Sequence, residues 1–280
     1  MISSLFQNRS CGIATKHQKE RVIGPALNQA FGMTVIPLSL DTDLFGTFCG
    51  VIRRLSTPVE TLRSKCDAAA RDSGLKLIVA SEGSFGPHPN MHFIPADEEF
   101  MLLKDYHNDF EVIARVVSTD TNFNSLEIHS EEELLSFAQR VGFPSHALML
   151  RCKSSNEFLY KGICDHQQLL IAFNQLRALG EGVVAETDMR AMNNPTRMRV
   201  IESCCHELIR KIQCVCPKCG TPGFDLADVE IGLPCDRCGS PTRSALIHFI
   251  QCKKCEFQVE NVYPSGKKSE DPMYCDICNP

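Results

Sequence analysis

The feature that most constrains this chain is a set of four CxxC pairs near its carboxyl end. Their eight cysteines all lie within residues 216–280: Cys216, Cys219, Cys235, Cys238, Cys252, Cys255, Cys275 and Cys278. The other half of the sixteen cysteines are scattered without a period, as expected for reduced, small apolar residues. The segment has few large apolar side chains, so we expect the cysteines to supply the stability that a small core cannot.

Zinc is the metal that this pattern predicts. Tetrahedral zinc is bound by four thiolates in many structural sites, and one CxxC turn delivers two of them. Four CxxC turns, called knuckles below, therefore predict two zinc ions. Both are expected to be structural, because eight thiolates fill both coordination spheres. The alternatives are disulfides and a redox dithiol. Disulfides are disfavoured because the opening residues lack the apolar run of an exporting signal, and a redox CxxC would be single and would follow a strand in a βαβ unit.

The pairing of the knuckles is less constrained than their chemistry. Fifteen residues separate the first two knuckles and nineteen separate the last two, and both spacers suit ribbon hairpins. Our first choice is therefore sequential pairing, first knuckle with second and third with fourth. A crossed arrangement, first with third and second with fourth, also satisfies the chemistry.

The charge of the cysteine-rich segment bears on its partner. Residues 214–280 contain seven Lys or Arg and nine Asp or Glu, a balance of −2. Eight thiolates and two zinc ions bring this to about −6, which is unsuited to a phosphate backbone. The whole chain carries −5, with no general attraction to nucleic acid or anionic lipid. We expect the segment to cap the fold or to dock a protein partner, with nucleic acid an unlikely partner.

Residues 1–200 have the pattern of an α/β domain with a mixed sheet. Strands are predicted at 12–15, 34–37, 75–81, 100–104, 110–117, 147–151 and 183–186, with amphipathic stretches between several of them. A turn at 107–109 predicts an antiparallel hairpin within the sheet. A helix over about 195–212 leads into the zinc-ribbon module, residues 201–280. No apolar run reaches the roughly 18 residues that span a bilayer, so we expect a cytoplasmic protein without membrane contact.

Four segments carry more polar residues and glycines than a core or a plain turn requires. They cover residues 14–21, 41–48, 81–89 and 186–197. Three of them follow predicted strands, and ligands of open α/β sheets gather beyond the carboxyl ends of strands. The sequence therefore predicts one shared site, although each segment alone also fits a solvated turn.

The residue types in these segments suit a phosphorylated small molecule. The candidates for Mg²⁺ are carboxylates: Glu82, Asp41, Asp43 and Asp188. The candidates to neutralise phosphate are cations: Lys16, Lys19, Arg190 and Arg197. Thr15, His17 and Ser84 are further candidate ligand contacts.

Two resemblances add to this interpretation. The four segments, together with CPKCGTPGF, GLPCDRCGSPT and the closing CDICNP, closely resemble an uncharacterised bacterial family, domain of unknown function 6671, over almost the whole chain. That family implies no activity. Thr15 before a basic helix start, the stretch Thr57–Ala69 and a strand ending in Glu82 resemble the house-cleaning nucleoside triphosphatases of the inosine triphosphatase and Maf-like fold.

The second resemblance implies a mechanism, with departures. It places Mg²⁺ on Glu82, and Lys19 and Lys65 on the phosphate. However, His17 stands where that fold usually has Asn, and Lys19 is one position short of the expected lysine. The predicted catalytic residues are Glu82, Lys19, Lys65 and Asp188.

The sequence thus leaves two functions open. One is Mg²⁺-assisted hydrolysis of a nucleotide phosphoanhydride. The other is a non-catalytic sensor or adaptor that binds a phosphorylated metabolite and docks a partner through the ribbons.

Overall fold

The computed structural model describes residues 5–39 and 57–280. It divides into two compact units, the first ending at Ile209 and the second comprising Arg210–Pro280. The candidates Asp41 and Asp43 lie outside the described residues. Within the described ranges, no helix is both long enough and apolar enough to cross a membrane.

The first sheet of the first unit is mixed. Its strands, in chain order, are β1 (Ser10–Ala14), β2 (Thr34–Leu38), β3 (Leu77–Pro87), β4 (Pro95–Asp105) and β5 (Phe110–Ser118). The spatial order is β2-β1-β3-β4-β5. Strand β1 is parallel to both β2 and β3, whereas β3, β4 and β5 form an antiparallel meander. The predicted hairpin is therefore confirmed.

Two helices flank this sheet. Helix α1 (Glu20–Phe31) follows β1, and α2 (Pro58–Ser73) precedes β3. Thr57 caps α2 in a capping box with Glu60. The apolar face of α2, including Leu62 and Cys66, packs against the even-numbered residues of β3.

A second sheet, which was not predicted, completes the first unit. Its strands are β6 (Ser125–Ile128), β7 (Leu148–Cys152), β8 (Tyr160–Ile163) and β9 (Val183–Thr187). They are antiparallel, in the order β6-β9-β7-β8. Helices α3 (Glu131–Arg140) and α4 (His166–Arg177) share an apolar core with this sheet. The side chains of Ser130 and Asp165 cap them.

The remaining elements are one long helix and a small sheet. Helix α5 spans Pro195–Gln213, in agreement with the predicted helix, and a single 3-10 turn, Ala191–Asn193, precedes it. In the second unit, β10 (Asp225–Ile231), β11 (Ala245–Gln251) and β12 (Gln258–Val262) form an antiparallel sheet, followed by a 3-10 turn at Pro272–Tyr274.

The prediction of a mixed-sheet α/β domain followed by a double zinc-ribbon module is confirmed. One strand differs in a way that affects the site. Strand β3 does not end before Glu82 but continues to Pro87, because β4 pairs with it along its whole length. Its parallel neighbour β1 does end early, at the pair Ala14–Ala80. Glu82 therefore lies beyond the end of β1, in the middle of β3.

Candidate functional site

The eight ribbon cysteines form two clusters. Cys216, Cys219, Cys252 and Cys255 make the first, and Cys235, Cys238, Cys275 and Cys278 make the second. In each cluster the sulfur atoms lie within 4.8 Å of one another. The closest sulfur pairs between knuckles are 3.6–3.9 Å apart. Tetrahedral zinc with 2.3 Å bonds to sulfur requires about 3.8 Å, so the clusters could hold metal ions and their geometry is consistent with zinc.

The preferred sequential pairing of the knuckles is wrong, and the crossed pairing is the one observed. The reason is that the first spacer contains one strand, β10, and no hairpin. This strand carries the chain about 23 Å, so the first two knuckles lie at opposite ends of the small sheet. Strand β11 runs antiparallel to β10 and brings the third knuckle back to the first. Strand β12 then carries the chain toward the second knuckle, where the fourth completes the cluster.

The turns of the first two knuckles each contain a glycine and a small hydroxyl residue. Gly220 and Gly239 both have a φ of 72°, and their N–H groups donate to the carbonyl oxygens of Cys216 and Cys235. Such a positive φ is easy only for glycine. The hydroxyl of Thr221, 3.2 Å from Cys219 Sγ, lowers the pKa of that thiol to about 6. Ser240 lowers the pKa of Cys238 likewise, to about 6. Both hydroxyls thus favour the thiolate that binds metal.

The first unit holds a second group of interest, a buried charged cluster made of Lys19, Asp97, Glu99 and Arg197. Their exposed fractions are 5%, 0%, 1% and 1%. Lys19 Nζ donates to Ser81 Oγ at 3.1 Å and lies 3.8 Å from Glu99 Oε2. Arg197 Nε donates to Glu99 Oε1 at 2.7 Å. Burial lowers the pKa of Lys19 to about 8, although Glu99 opposes the shift.

Two members of the charged cluster, Asp97 and Glu99, were missed by sequence reasoning. Neither carboxylate oxygen of Asp97 has a hydrogen-bond partner in the described part of the chain. Burial, followed by the nearby charge of Glu99, raises the pKa of Asp97 to about 8. The missed signal is the alternation in β4, where both acids occupy the same inward face as Met101 and Leu103.

Lys65 and Glu82 form a neighbouring pair on the other face of the sheet. Lys65 Nζ donates to Glu82 Oε2, and both side chains are buried. Successive strand residues point to opposite faces, so Glu82 faces α2 whereas Ser81 faces Lys19. The charges of both Glu82 and Lys65 nevertheless act on Lys19. The structure therefore brings three of the predicted catalytic residues close to strand β3. Lys65 and Glu82 lie on one face of the sheet and Lys19 lies on the other.

Arg197 connects the charged cluster to other parts of the first unit. Its Nη1 donates to the carbonyl oxygen of Met189, and its backbone N–H donates to Asn194 Oδ1 at 3.0 Å. Its guanidinium lies 5.0 Å from the ring centroid of Phe85, a cation–π distance. The side chain is thus held on several sides.

The side-chain partners of Asp188 are not members of the charged cluster. Asp188 follows β9 of the antiparallel sheet, so the rule for parallel strands does not bring it to the ends of β1 and β3. Its fully buried carboxylate accepts hydrogen bonds from Arg190 Nε, at 3.0 and 3.1 Å, and from Asn193 Nδ2 at 2.8 Å. Arg190 and Asp188 thus bind one another.

The other candidates lie near the end of β1 or on β3. The Thr15 hydroxyl donates to the carbonyl of Lys16 at 3.0 Å, and Lys16 is exposed. His17 is half-buried with a φ of 70°, an uncommon backbone conformation for a residue with a side chain. Ser84 is half-buried and faces the same side of β3 as Glu82.

Gly83 is required by the close packing of the charged cluster. A Cβ atom at this position would overlap the carboxylate of Glu99 and the guanidinium of Arg197. We expect Gly83→Ala to destabilise the first unit by about 2 kcal/mol, measured by urea unfolding. Gly86→Ala, on the same strand with nothing within 4 Å, is the matched control and should change stability by less than about 0.5 kcal/mol. Equal effects would refute this packing.

The fold and the thiolate geometry define a double zinc-ribbon protein whose ribbon module follows an α/β unit. A comparison with protein-family models identifies the family. A family model described as domain of unknown function, DUF6671, matches residues 65–280, and the chain belongs to that family. The match includes Lys65, Glu82, Asp97, Glu99 and all eight ribbon cysteines, but it excludes Lys19. No curated protein matches the chain.

Proposed function

We propose that the second unit binds two structural zinc ions and that the first unit binds a phosphorylated small molecule with Mg²⁺ and hydrolyses its phosphoanhydride. The observation that carries the ligand proposal is the burial of two lysines, Lys19 and Lys65, beside the end of β1. Burying an ammonium group is costly unless it is paired. The proposal gives these cations an anionic partner besides Glu82 and Glu99.

The backbone around Lys19 supports an anion site. Lys19 is the N-cap of α1, and the helix start has no side-chain cap. The N–H groups at a helix start attract anions, although here those of Arg21 and Val22 already donate to the carbonyl oxygens of Gln18 and Lys19. The two preceding residues, His17 and Gln18, both have positive φ, and such strain is concentrated at functional sites. A phosphate at this position would meet both the helix start and the Lys19 ammonium.

The chemistry proposed is electrostatic. Mg²⁺, when bound to carboxylates such as Glu82, would polarise a phosphoryl oxygen. Glu82 offers the hard oxygen atoms that this ion prefers. Lys65 holds the Glu82 carboxylate in place through a hydrogen bond. Lys19 would stabilise the charge that develops on the phosphate, and Lys65, which pairs with Glu82 on the other face of the sheet, would act only at longer range.

Release of phosphate from a panel of nucleoside triphosphates with Mg²⁺, measured with and without added inorganic pyrophosphatase so that released pyrophosphate is also detected, tests this function. We expect release by the wild-type chain and a loss of about 100-fold or more in Lys19→Met. Lys76→Met, at an exposed lysine of the same unit, is the control and should retain full activity. Release that is unchanged in Lys19→Met would contradict the proposed site. Absence of release by the wild-type chain would exclude the proposed hydrolase activity.

A non-catalytic sensor is the second candidate, and the near-complete burial of the charged cluster favours it. Attack on phosphorus needs a water molecule beside the ligand, whereas binding alone does not. Binding of a nucleotide that depends on Lys19, without phosphate release, would establish the sensor.

The zinc-bearing unit is proposed to dock a protein. Strands β10 and β12 expose large apolar side chains, among them Leu226 at 48%, Ile231 at 61% and Val262 at 48%, which is typical of interaction surfaces. Its negative charge disfavours nucleic acid. Thiolate-bound zinc also suits a reducing compartment, so we propose a cytoplasmic location.

A further inference from the structure

Three carboxylate oxygens of β4 lack hydrogen-bond partners in residues 5–39 and 57–280. They are both oxygens of Asp97 and Oε2 of Glu99. Asp97 is 0% exposed and Glu99 is 1% exposed, so bulk water does not solvate these atoms. Buried polar groups of native proteins are nearly always paired, and each exception requires an explanation.

The backbone of β4 places these oxygens on one side. Asp97 and Glu99 are two residues apart on a strand, and side chains with that spacing point to the same face. Across the strand pair, Phe85 stands opposite Asp97 and Gly83 stands opposite Glu99. The missing side chain of Gly83 leaves the space in which the carboxylate of Glu99 meets Arg197.

The cations nearby do not satisfy this acidic pair. Arg197 bonds Oε1 of Glu99, and Lys19 Nζ lies 3.8 Å from Oε2, which is too long for a hydrogen bond. The two cations therefore balance the formal charge of the two carboxylates, but they do not form hydrogen bonds to the three oxygens. An oxygen-seeking cation is the group that would bond to them, since buried carboxylates are normally paired or coordinate metals.

We propose that Asp97 and Glu99 bind a divalent cation of the Mg²⁺ or Mn²⁺ type. Such an ion takes one or two carboxylates and leaves its other positions to water and phosphate. Lys19 adjoins the pair, so a phosphate group could bridge the ion and the ammonium. The inference rests on the proposed function for its biological role. It assigns the metal ion to Asp97 and Glu99 on one face of the sheet, and not to Glu82 on the opposite face.

Mn²⁺ binding to the zinc-loaded chain, without nucleotide, tests the site. Free Mn²⁺ is measured by electron paramagnetic resonance during titration. We expect one Mn²⁺ per chain, and an affinity reduced by about 100-fold or more in Asp97→Asn. Glu98→Gln is the matched control, because Glu98 lies between the two acids but faces the other side and pairs with Arg115. It should bind Mn²⁺ as tightly as the wild type. Glu82→Gln is titrated alongside, to detect a cation on the other face of the sheet.

Each other outcome overturns the site. No Mn²⁺ binding, or equal binding by Asp97→Asn, excludes the acidic pair, and a loss confined to Glu82→Gln places the ion on Glu82 instead. Should Asp97→Asn not fold, Mn²⁺ can be located in the wild-type chain by paramagnetic broadening of amide signals. We then expect broadening at Phe85 and Ser118, the cross-strand neighbours of Asp97; its absence there refutes the proposal.

The phosphate-release assay separates this inference from the proposed function. Mn²⁺ binding that requires Asp97, without any phosphate release, would leave the cation site standing and remove the hydrolase. Phosphate release that is unaffected in a folded Asp97→Asn variant would keep the hydrolase and show that its metal ion does not lie on Asp97.

Discussion

A chain in which serine replaces all four cysteines of the first and third knuckles should still bind one zinc ion. These residues, Cys216, Cys219, Cys252 and Cys255, form a single cluster, so the other cluster keeps its four thiolates. Structural zinc contributes about 10–16 kcal/mol in small zinc domains, so the remaining ion should stay bound during gel filtration. The zinc content, measured by plasma emission spectrometry, is expected to be two ions in the wild-type chain and one in this variant.

The matched variant carries serine in the first and second knuckles, again four substitutions. Because the observed pairing is crossed, this variant should lose both ions. Sequential pairing would give the reverse pattern, with no zinc in the first variant and one ion in the second. The two zinc contents therefore distinguish the pairings without a new structure.

Arg197→Met is expected to have the largest effect within the first unit. The substitution leaves the carboxylate of Glu99 buried without its guanidinium and removes the bond to the carbonyl of Met189. Loss of one partner from a buried ion pair costs about 3–5 kcal/mol. Urea unfolding followed by far-ultraviolet circular dichroism measures this, because helices α1 to α4 belong to the first unit.

Arg199→Met is the control for that experiment. Arg199 is on the same helix and pairs with Asp120, but both side chains are more than half exposed. Such exposed pairs contribute about 0–1 kcal/mol, so this variant should unfold nearly as the wild type does. If the two variants unfold alike, the charged cluster does not support the fold.

The ribbon shows what the sequence could and could not predict. The ligand residues followed from the spacing of their cysteines, because metal chemistry acts over two or three residues. The pairing depended on whether residues 220–234 turn back or continue straight. The stretch from Asp225 to Ile231 is a single strand, and its antiparallel pairing with β11 is a long-range choice that spacing does not encode.

The charged cluster shows a second limit. Lys19 and Glu82 are identified because they lie in polar segments, and Lys65 is identified only through the resemblance to the nucleoside triphosphatases. Asp97 and Glu99 were missed because the predicted strand began at Phe100, whereas β4 begins at Pro95. Strand pairing with β3 extends β4, and this extension places both acids in the interior. Asp188 follows β9, a strand of the separate antiparallel sheet, so the rule for parallel strands does not apply to it.

The most direct test of the ligand site is a crystal structure of the zinc-loaded chain with Mg²⁺ and inorganic pyrophosphate. The account predicts pyrophosphate at the start of α1, in contact with the Lys19 ammonium, with the cation on the buried carboxylates beside it. Pyrophosphate found only on exposed surfaces, with Lys19 still bonded to Ser81 and the cation absent from Asp97, Glu99 and Glu82, would contradict it.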